Sequence, residues 1–149
     1  MRAPLLILLL VAAGCDSDPV RDGDVDLSAD VAVTSARELA RARSQWADAG
    51  PERYRMTYEI VCFCPPNTVE VVVEDGRVAA SATTGYDVEP LGVLGLYDVA
   101  LDAYAVGAAS VDVRVTERGP PVPVRVSIDY DEAIADEEIG YRVVAFRAE

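Results

Sequence analysis

Residues 69–82, VEVVVEDGRVAASA, carry the clearest structural signal in the chain. Its centre, Asp75-Gly76, is a strong signal for a two-residue hairpin turn, because both positions of such a turn need a positive φ angle. This turn pairs Glu74 with Arg77, and the register then continues with Val73–Val78, Val71–Ala80 and Val69–Ala82. One face of the hairpin becomes wholly apolar, and the other face carries Glu70, Glu74, Arg77 and Ser81. We therefore expect a two-stranded antiparallel hairpin that packs on a core by its apolar face.

A helix and a strand precede this hairpin. Ser35-Ala36-Arg37-Glu38 is a capping-box pattern, in which Ser35 and Glu38 satisfy each other's free amides. It predicts an amphipathic helix from about Ala36 to Ala49, which Gly50-Pro51 ends. From Tyr54 the apolar period changes to two, so that a strand directs one set of side chains to the core: Tyr54, Met56, Tyr58 and Ile60.

The second half of the chain repeats this order. A second helical stripe is formed by Leu94, Tyr97, Ala100, Leu101 and Tyr104, with Asp98 and Asp102 facing away. Three more alternating segments follow, at Val111–Val115, at Val122–Ile128 and from about Tyr141 to Phe146. We predict an α+β fold with two αβββ halves, which form an antiparallel sheet of six strands with two helices packed on one face.

The charge and composition exclude several functions. The chain has 26 Asp and Glu against 13 Arg, with no Lys and no His, and its formal net charge is −13. Binding of nucleic acid is not expected, because such binding depends on cationic side chains. Without His, neither a Ser-His-Asp triad nor a Cys-His pair can form within this chain. No pair of carboxylates stands out as catalytic, so we do not expect an enzyme.

The amino terminus has the three parts of an export signal. Arg2 provides the positive charge, Leu5–Val11 is an unbroken apolar run, and small residues precede Cys15. Ala12-Ala13-Gly14-Cys15 resembles the bacterial lipobox, with Ala where Leu is more usual. The resemblance implies that residues 1–14 are a lipoprotein signal peptide and that Cys15 becomes diacylglyceryl-modified. Acyl chains at Cys15 would anchor the protein to a membrane.

The acidic residues after Cys15 predict a tether rather than a folded segment. Residues 15–33 therefore comprise the lipidated cysteine and a flexible acidic linker, and residues 34–149 form one globular domain. The expected location is the cell envelope, with the domain facing the periplasm or the cell exterior. The expected partners are the membrane, through the N-terminal lipid, and an unidentified envelope protein or ligand.

Cys62 and Cys64 are the most distinctive candidate site. If Cys15 is acylated, these two thiols remain, in a compartment that tends to oxidise thiols. A disulfide between positions i and i+2 of an extended strand would require a local bend. The alternatives are two small hydrophobic residues in the core, a thiol-redox or stress-sensing pair, and an incomplete site for a soft metal.

An acidic cluster near the C terminus is the second candidate. Hard cations such as Ca²⁺ prefer several carboxylate oxygens, and a calcium-stabilised module is therefore an alternative to a solvated turn. We expect no other cofactor. The cluster consists of Asp129, Asp131, Asp136, Glu137 and Glu138.

Two further groups of side chains are candidates for a binding surface. The first is aromatic and could line a ligand groove, although most of its members fall on the stripes predicted to be buried: Trp46, Tyr54, Tyr58, Tyr97, Tyr104 and Tyr141. The second is basic, is expected on the polar face of the sheet, and could form ion pairs or bind a partner: Arg53, Arg55, Arg114, Arg125 and Arg142.

Three parts of the chain resemble one family. They are Trp46 with Tyr54–Tyr58, the run Cys62-Phe63-Cys64-Pro65-Pro66 with Val71–Val78, and Ser127–Asp131 followed by Asp136–Tyr141. Together they resemble the DUF6174 family of bacterial envelope proteins from roughly Trp46 to Phe146. Members often carry a Tyr-Asp-Pro stretch where this chain has Thr116–Pro123. The resemblance implies an envelope location and supplies no reaction.

These observations together predict a non-enzymatic, lipid-anchored envelope protein with a partner-binding or ligand-binding domain. The alternatives are the thiol-redox module based on Cys62 and Cys64 and the calcium-stabilised module.

Overall fold

A computed structural model describes residues 23–134 and 136–149. The predicted signal peptide, Cys15 and the first part of the predicted tether lie outside these residues. The described elements, in chain order, are β1 (Asp30–Val33), α1 (Ala36–Ala49), β2 (Tyr54–Cys62), β3 (Asn67–Glu74), β4 (Arg77–Thr83), α2 (Val93–Val106), β5 (Ser110–Thr116), β6 (Pro123–Asp129) and β7 (Ile139–Ala148). Among the described helices, none is long and apolar enough to cross a membrane.

All these strands belong to one antiparallel sheet with the order β1-β5-β6-β7-β2-β3-β4. Each half of the chain contributes three strands that follow one another in space, β2-β3-β4 and β5-β6-β7. The long pairing of β7 with β2 joins the two halves into one sheet. The predicted α+β class and its two αβββ halves are confirmed.

One face of the sheet is covered by both helices. Trp46 of α1 packs edge-on against the rings of Tyr54 in β2 and Phe146 in β7, at centroid distances of 5.6 and 5.7 Å. Helix α2 contacts β5, β6 and α1. The alternation predicted for β2 is confirmed, because Tyr54, Met56, Tyr58 and Ile60 are all buried in this core. We call the opposite side of the sheet the helix-free face.

The predicted hairpin forms, with a change of register. Asp75 and Gly76 have φ angles of 50° and 72°, as the turn requires. Glu74 pairs with Arg77 and Val73 with Val78 as expected, but Val71 then pairs with Ser81 and Val69 with Thr83 instead of Ala80 and Ala82. The extra residue is Ala79, a β-bulge in an edge strand, where bulges are common because they interrupt further pairing. The prediction of a wholly apolar hairpin face was therefore wrong beyond Val78.

Strand β1 lies within the segment that the acidic composition assigned to a tether. It pairs with β5 from Asp30–Thr116 to Val33–Val113, which makes seven strands instead of six. An ion pair between Asp30 and Arg114 accompanies this pairing. Residues before β1 also join the fold: the Ala148 amide donates to the Gly23 carbonyl at 2.8 Å, and the Glu117 amide donates to the Ala29 carbonyl at 2.9 Å. Backbone pairing with an open sheet edge orders this segment together with its few apolar side chains, since Val33 is buried and Val25 and Leu27 pack against the core.

Helix α1 has the predicted bounds and buries Leu39, Ala42 and Trp46 as expected. Its cap differs in one bond. Ser35 accepts from the Glu38 amide, but the Glu38 carboxylate accepts from the amide and hydroxyl of Thr34 instead of from the Ser35 amide. These two bonds from Thr34 lower the pKa of the Glu38 carboxyl, and the bond from the Thr34 hydroxyl has the larger effect.

Helix α2 presents a different stripe to the core from the one predicted. Tyr97 and Ala100 are buried as expected, whereas Leu94, Leu101 and Tyr104 are only half-buried. Val93, Leu96 and Ala103 are buried in their place. Apolar residues occupy nearly every side of this helix, so periodicity alone does not fix the buried face and packing on β5 and β6 decides it.

Candidate functional site

A disulfide links Cys62 and Cys64 at the end of β2. The chain bends at residues 63–65, directly after the strand, and this bend brings the two Cα atoms to 5.1 Å. That separation lies within the usual range for disulfides. Both cysteines are half-buried, and Phe63 between them is 85% exposed. The structure thus has the local bend that the sequence required for such a bond.

The hydroxyl of Tyr86 lies against both sulfur atoms. Its oxygen is 3.3 Å from Cys64 Sγ and 3.6 Å from Cys62 Sγ. The sulfur atoms of a disulfide carry no hydrogen, so the Tyr86 hydroxyl must be the donor in these contacts. The disulfide therefore has a hydrogen-bond donor directed at it from the loop between β4 and α2.

A buried asparagine fixes that loop. Asn67 begins β3 and is the single asparagine of the chain. Its amide nitrogen donates to the Tyr86 carbonyl at 2.9 Å, and its side-chain oxygen accepts from the Gly85 amide at 3.1 Å. A Cβ atom on Gly85 would lie 2.7 Å from the Pro66 carbonyl oxygen, so this close approach requires glycine. Asn67 and Gly85 together position Tyr86 beside the disulfide.

A groove of about 450 Å³ opens beside the disulfide on the helix-free face. Its floor includes Gly140, which pairs with Val61 of β2 and with Ser127 of β6. Its apolar lining includes the exposed side chains of Val61 (52%) and Phe63 together with Val126 and Ile139. Cys62 also borders the groove, and its side chain packs against the core. Arg125, Ser127, Arg142, Asp136 and Glu138 supply its polar lining.

The arginines of the helix-free face are mostly paired. Arg142 binds the Glu59 carboxylate, Arg55 binds Glu149 at 2.7 Å, and Arg114 binds Asp30. Arg125 lines the groove and forms no ion pair within the described part of the chain. Arg53 precedes β2 and is exposed outside the strands. Three of the five predicted arginines are thus paired, and of the two that form no ion pair within the described residues, Arg53 and Arg125, it is Arg125 that lines the groove.

The acidic cluster does not assemble into a cation site. Asp129 accepts from the Asp131 amide at 3.0 Å, and Asp131 accepts from the Ala133 amide at 2.9 Å, so both carboxylates stabilise the turn after β6. Asp136 and Glu138 line the groove, and Glu137 is exposed. Within residues 23–134 and 136–149, no group of three or more acidic or cysteine side chains could hold a metal ion. The geometry gives no support to the calcium alternative.

A comparison with known protein families identifies the family of the chain. A family model described as "Family of unknown function (DUF6174)" matches residues 38–148, which is most of the described fold. The chain belongs to this family. Neither a curated protein nor a solved structure matches the chain.

The aromatic residues of this DUF6174 domain are chiefly structural. Trp46, Tyr54, Tyr58 and Tyr97 are buried, whereas Tyr104 and Tyr141 are half-buried. The Tyr54 hydroxyl accepts from the Val93 amide at 2.8 Å, and so caps α2, whose own N-cap residue has no side chain to do so. The Tyr97 hydroxyl donates to the Pro121 carbonyl, and burial raises the pKa of this phenol. Of the six, Tyr141 lines the groove.

Sequence reasoning missed the residues that position the DUF6174 disulfide, namely Asn67, Gly85 and Tyr86. Tyr86 falls in a segment without periodicity, and its contact with the cysteines spans more than 20 positions. A glycine directly before an aromatic residue was the available signal, because it allows a close backbone approach. Nothing local connects that glycine with Asn67.

Proposed function

We propose that this chain is a non-enzymatic, lipid-anchored protein of the cell envelope whose domain binds a partner or ligand in the groove beside Cys62–Cys64. The observation that carries the binding role is the combination of exposed Val61 and Phe63 with the unpaired Arg125. Exposed apolar side chains gathered around a concavity commonly mark binding sites. The groove lining carries both signs of charge, Arg125 and Arg142 beside Asp136 and Glu138, so it offers polar contacts around the exposed apolar side chains.

The envelope location is supported by two independent features. The first is the lipobox-like sequence that ends at Cys15. The second is the Cys62–Cys64 disulfide, because disulfides persist in oxidising compartments outside the cytoplasm. The first feature accounts for membrane attachment and the second for exposure of the domain to that compartment.

Photocrosslinking in intact cells tests the binding role. A photoreactive amino acid replaces Phe63 in the groove or, as a matched control, Val106, an exposed apolar residue at the end of α2. We expect a discrete crosslinked product from position 63 that weakens when Arg125→Glu is added, and no such product from position 106. Equal crosslinking from the two positions, or none from position 63, would contradict a binding role for the groove.

A second candidate function is the thiol-redox module. The observation that favours it is the Tyr86 hydroxyl, which lies within hydrogen-bonding distance of both sulfur atoms.

A further inference from the structure

The disulfide and the groove lie on opposite sides of the sheet, and Phe63 connects them. Cys62 packs against the core on the helix-covered side, and the Tyr86 hydroxyl contacts both sulfur atoms of the bond. Phe63, between the two cysteines, is largely exposed and borders the groove on the helix-free face. Any effect of the bond on the groove must therefore pass through the backbone of Phe63.

The disulfide is the main constraint on the position of Phe63. The side chain is too exposed to be held by packing, and no backbone hydrogen bond within the described residues involves Phe63, Cys64 or Pro65. On one side of this bend the chain is held by Cys62, the last residue of β2, which pairs with β7. On the other side Pro65 and Pro66 have fixed φ angles. The backbone angles of Phe63 in between are set by the ring that the disulfide closes.

From this arrangement we propose that the Cys62–Cys64 disulfide is a redox switch that holds Phe63 in place as the apolar anchor of the groove. The proposal rests on the proposed binding role of the groove and adds its regulation. While the bond is intact, Phe63 is already ordered when a partner arrives. Reduction frees the backbone of Phe63, so that binding has to order it again.

The switch opens in a two-electron reaction. A dithiol reductant supplies two electrons and two protons, the sulfur–sulfur bond breaks to give two thiols, and the reductant closes to its own disulfide. The first attack releases one cysteine as a thiolate, and the Tyr86 hydroxyl beside both sulfur atoms donates to that charge. The reductant reaches the bond from solvent, because Cys64 is half-buried and both of its neighbours, Phe63 and Pro65, are exposed. A disulfide oxidant reverses the reaction.

The size of the effect on binding follows from the cost of ordering the chain. Fixing the backbone of one residue costs about tenfold in an equilibrium constant. Reduction frees Phe63 and, to a smaller extent, Cys64, whose conformation the following proline restricts. Binding in the groove should therefore weaken about tenfold when the bond opens. The fold itself should persist, because the disulfide joins positions only two apart in the sequence.

Relaxation of two backbone amides tests the switch without any partner. The chain has two phenylalanines, so nitrogen-15-labelled phenylalanine gives two amide signals, and buried Phe146 is an internal control for Phe63. The full chain carries Cys15→Ser, and spectra are recorded before and after addition of dithiothreitol. The heteronuclear NOE of the Phe63 amide should match that of Phe146 in the oxidised chain and fall to about half of it or less on reduction. Cys62→Ser/Cys64→Ser should give the low value throughout and not respond to dithiothreitol.

Crosslinking in cells tests the consequence for binding. A photoreactive amino acid replaces Ser127 in the groove, so that Phe63 stays in place, and the chain keeps Cys15. Cys62→Ser/Cys64→Ser should reduce the crosslinked product about tenfold. In a Phe63→Ala chain the same cysteine substitutions should cause no further loss, because the bond acts through the side chain that has been removed.

The outcomes distinguish failure of the switch from failure of the binding site. Equal relaxation of the Phe63 amide before and after reduction would overturn the proposal. Equal crosslinking with and without the cysteines, or a further loss in the Phe63→Ala chain, would overturn it as well. Absence of any product while the disulfide is intact would contradict the binding role of the groove, whereas the ordering of Phe63 is decided by the relaxation experiment alone.

Discussion

The side-chain amide of Asn67 donates a hydrogen bond of 2.9 Å to the backbone carbonyl of Tyr86. This bond connects the start of β3 with the loop that precedes α2, and the same side chain accepts from the Gly85 amide. Asn67 is buried and has partners for both ends of its amide group. A polar residue that closes a long-range connection in this way fixes one loop conformation, and here that conformation holds the Tyr86 hydroxyl against the disulfide.

Substitution of Asn67 should therefore affect both the fold and the disulfide. Asn67→Ala removes two hydrogen bonds from a partly exposed loop, and we expect the free energy of unfolding to fall by about 1–2 kcal/mol. Reduction of Cys62–Cys64 by glutathione should also slow, because the released Tyr86 hydroxyl no longer donates to the departing sulfur. Urea denaturation measures the first effect. An unchanged reduction rate in a folded Asn67→Ala chain would show that Asn67 does not position Tyr86.

The cap of α2 gives a second prediction. Tyr54→Phe leaves the buried Val93 amide without a partner, and a buried unsatisfied donor costs about 1–3 kcal/mol. The variant should unfold at correspondingly lower urea concentration. Tyr130→Phe is the matched control, because Tyr130 is exposed and its hydroxyl makes no hydrogen bond within the described residues. Equal losses in the two variants would mean that the Tyr54 hydroxyl does not support the helix.

The disulfide itself should contribute little to stability. It closes a loop of only three residues, for which the chain-entropy relation gives about 1.6 kcal/mol. The double variant Cys62→Ser/Cys64→Ser should therefore stay folded and lose no more than roughly this amount. Circular dichroism and urea denaturation measure the outcome. Loss of the folded state on reduction would instead show that the bond is needed for stability and would weaken the case for the thiol-redox module.

The buried tyrosines predict a decline of stability at alkaline pH. Burial raises the pKa values of Tyr54 and Tyr58 above the ordinary value of 10.0, while their bonds from Val93 and Leu91 act in the opposite direction. Above pH 10 the unfolded chain loses these protons and the folded chain keeps them, so the unfolded state is favoured increasingly as pH rises. The stabilising effect is complete below pH 10 and is lost as pH rises through the folded-state pKa values. The part of the tyrosinate absorbance that comes from the buried tyrosines should appear together with loss of circular dichroism rather than before it.

The sequence predicted those parts of the fold in which local patterns and global packing agree. The bounds of α1, the buried set of β2 and the turn at Asp75-Gly76 each follow from spacing and turn chemistry alone. It did not predict β1, because an acidic segment with few large apolar groups is ordered here by backbone pairing with β5. It also did not predict the bulge at Ala79, since the apolar pattern suits the regular register equally well.

The candidate site was predicted only in part, for a related reason. Two cysteines beside consecutive prolines identified the end of β2 from local sequence. Asn67 and Tyr86 came to light only with the tertiary structure, because their role depends on contacts between distant positions. The proposed calcium ligands are close in sequence, but Asp129 and Asp131 are used by backbone amides of their own turn.

Metabolic labelling with a clickable fatty acid tests membrane anchoring at Cys15 most directly. Cells producing the full chain or its Cys15→Ala variant are labelled, fractionated and probed for both label and protein. The parent chain should carry the label and sediment with the membranes, whereas Cys15→Ala should be unlabelled. A parent chain that is unlabelled and absent from the membrane fraction would contradict the proposal that this is a lipid-anchored envelope protein.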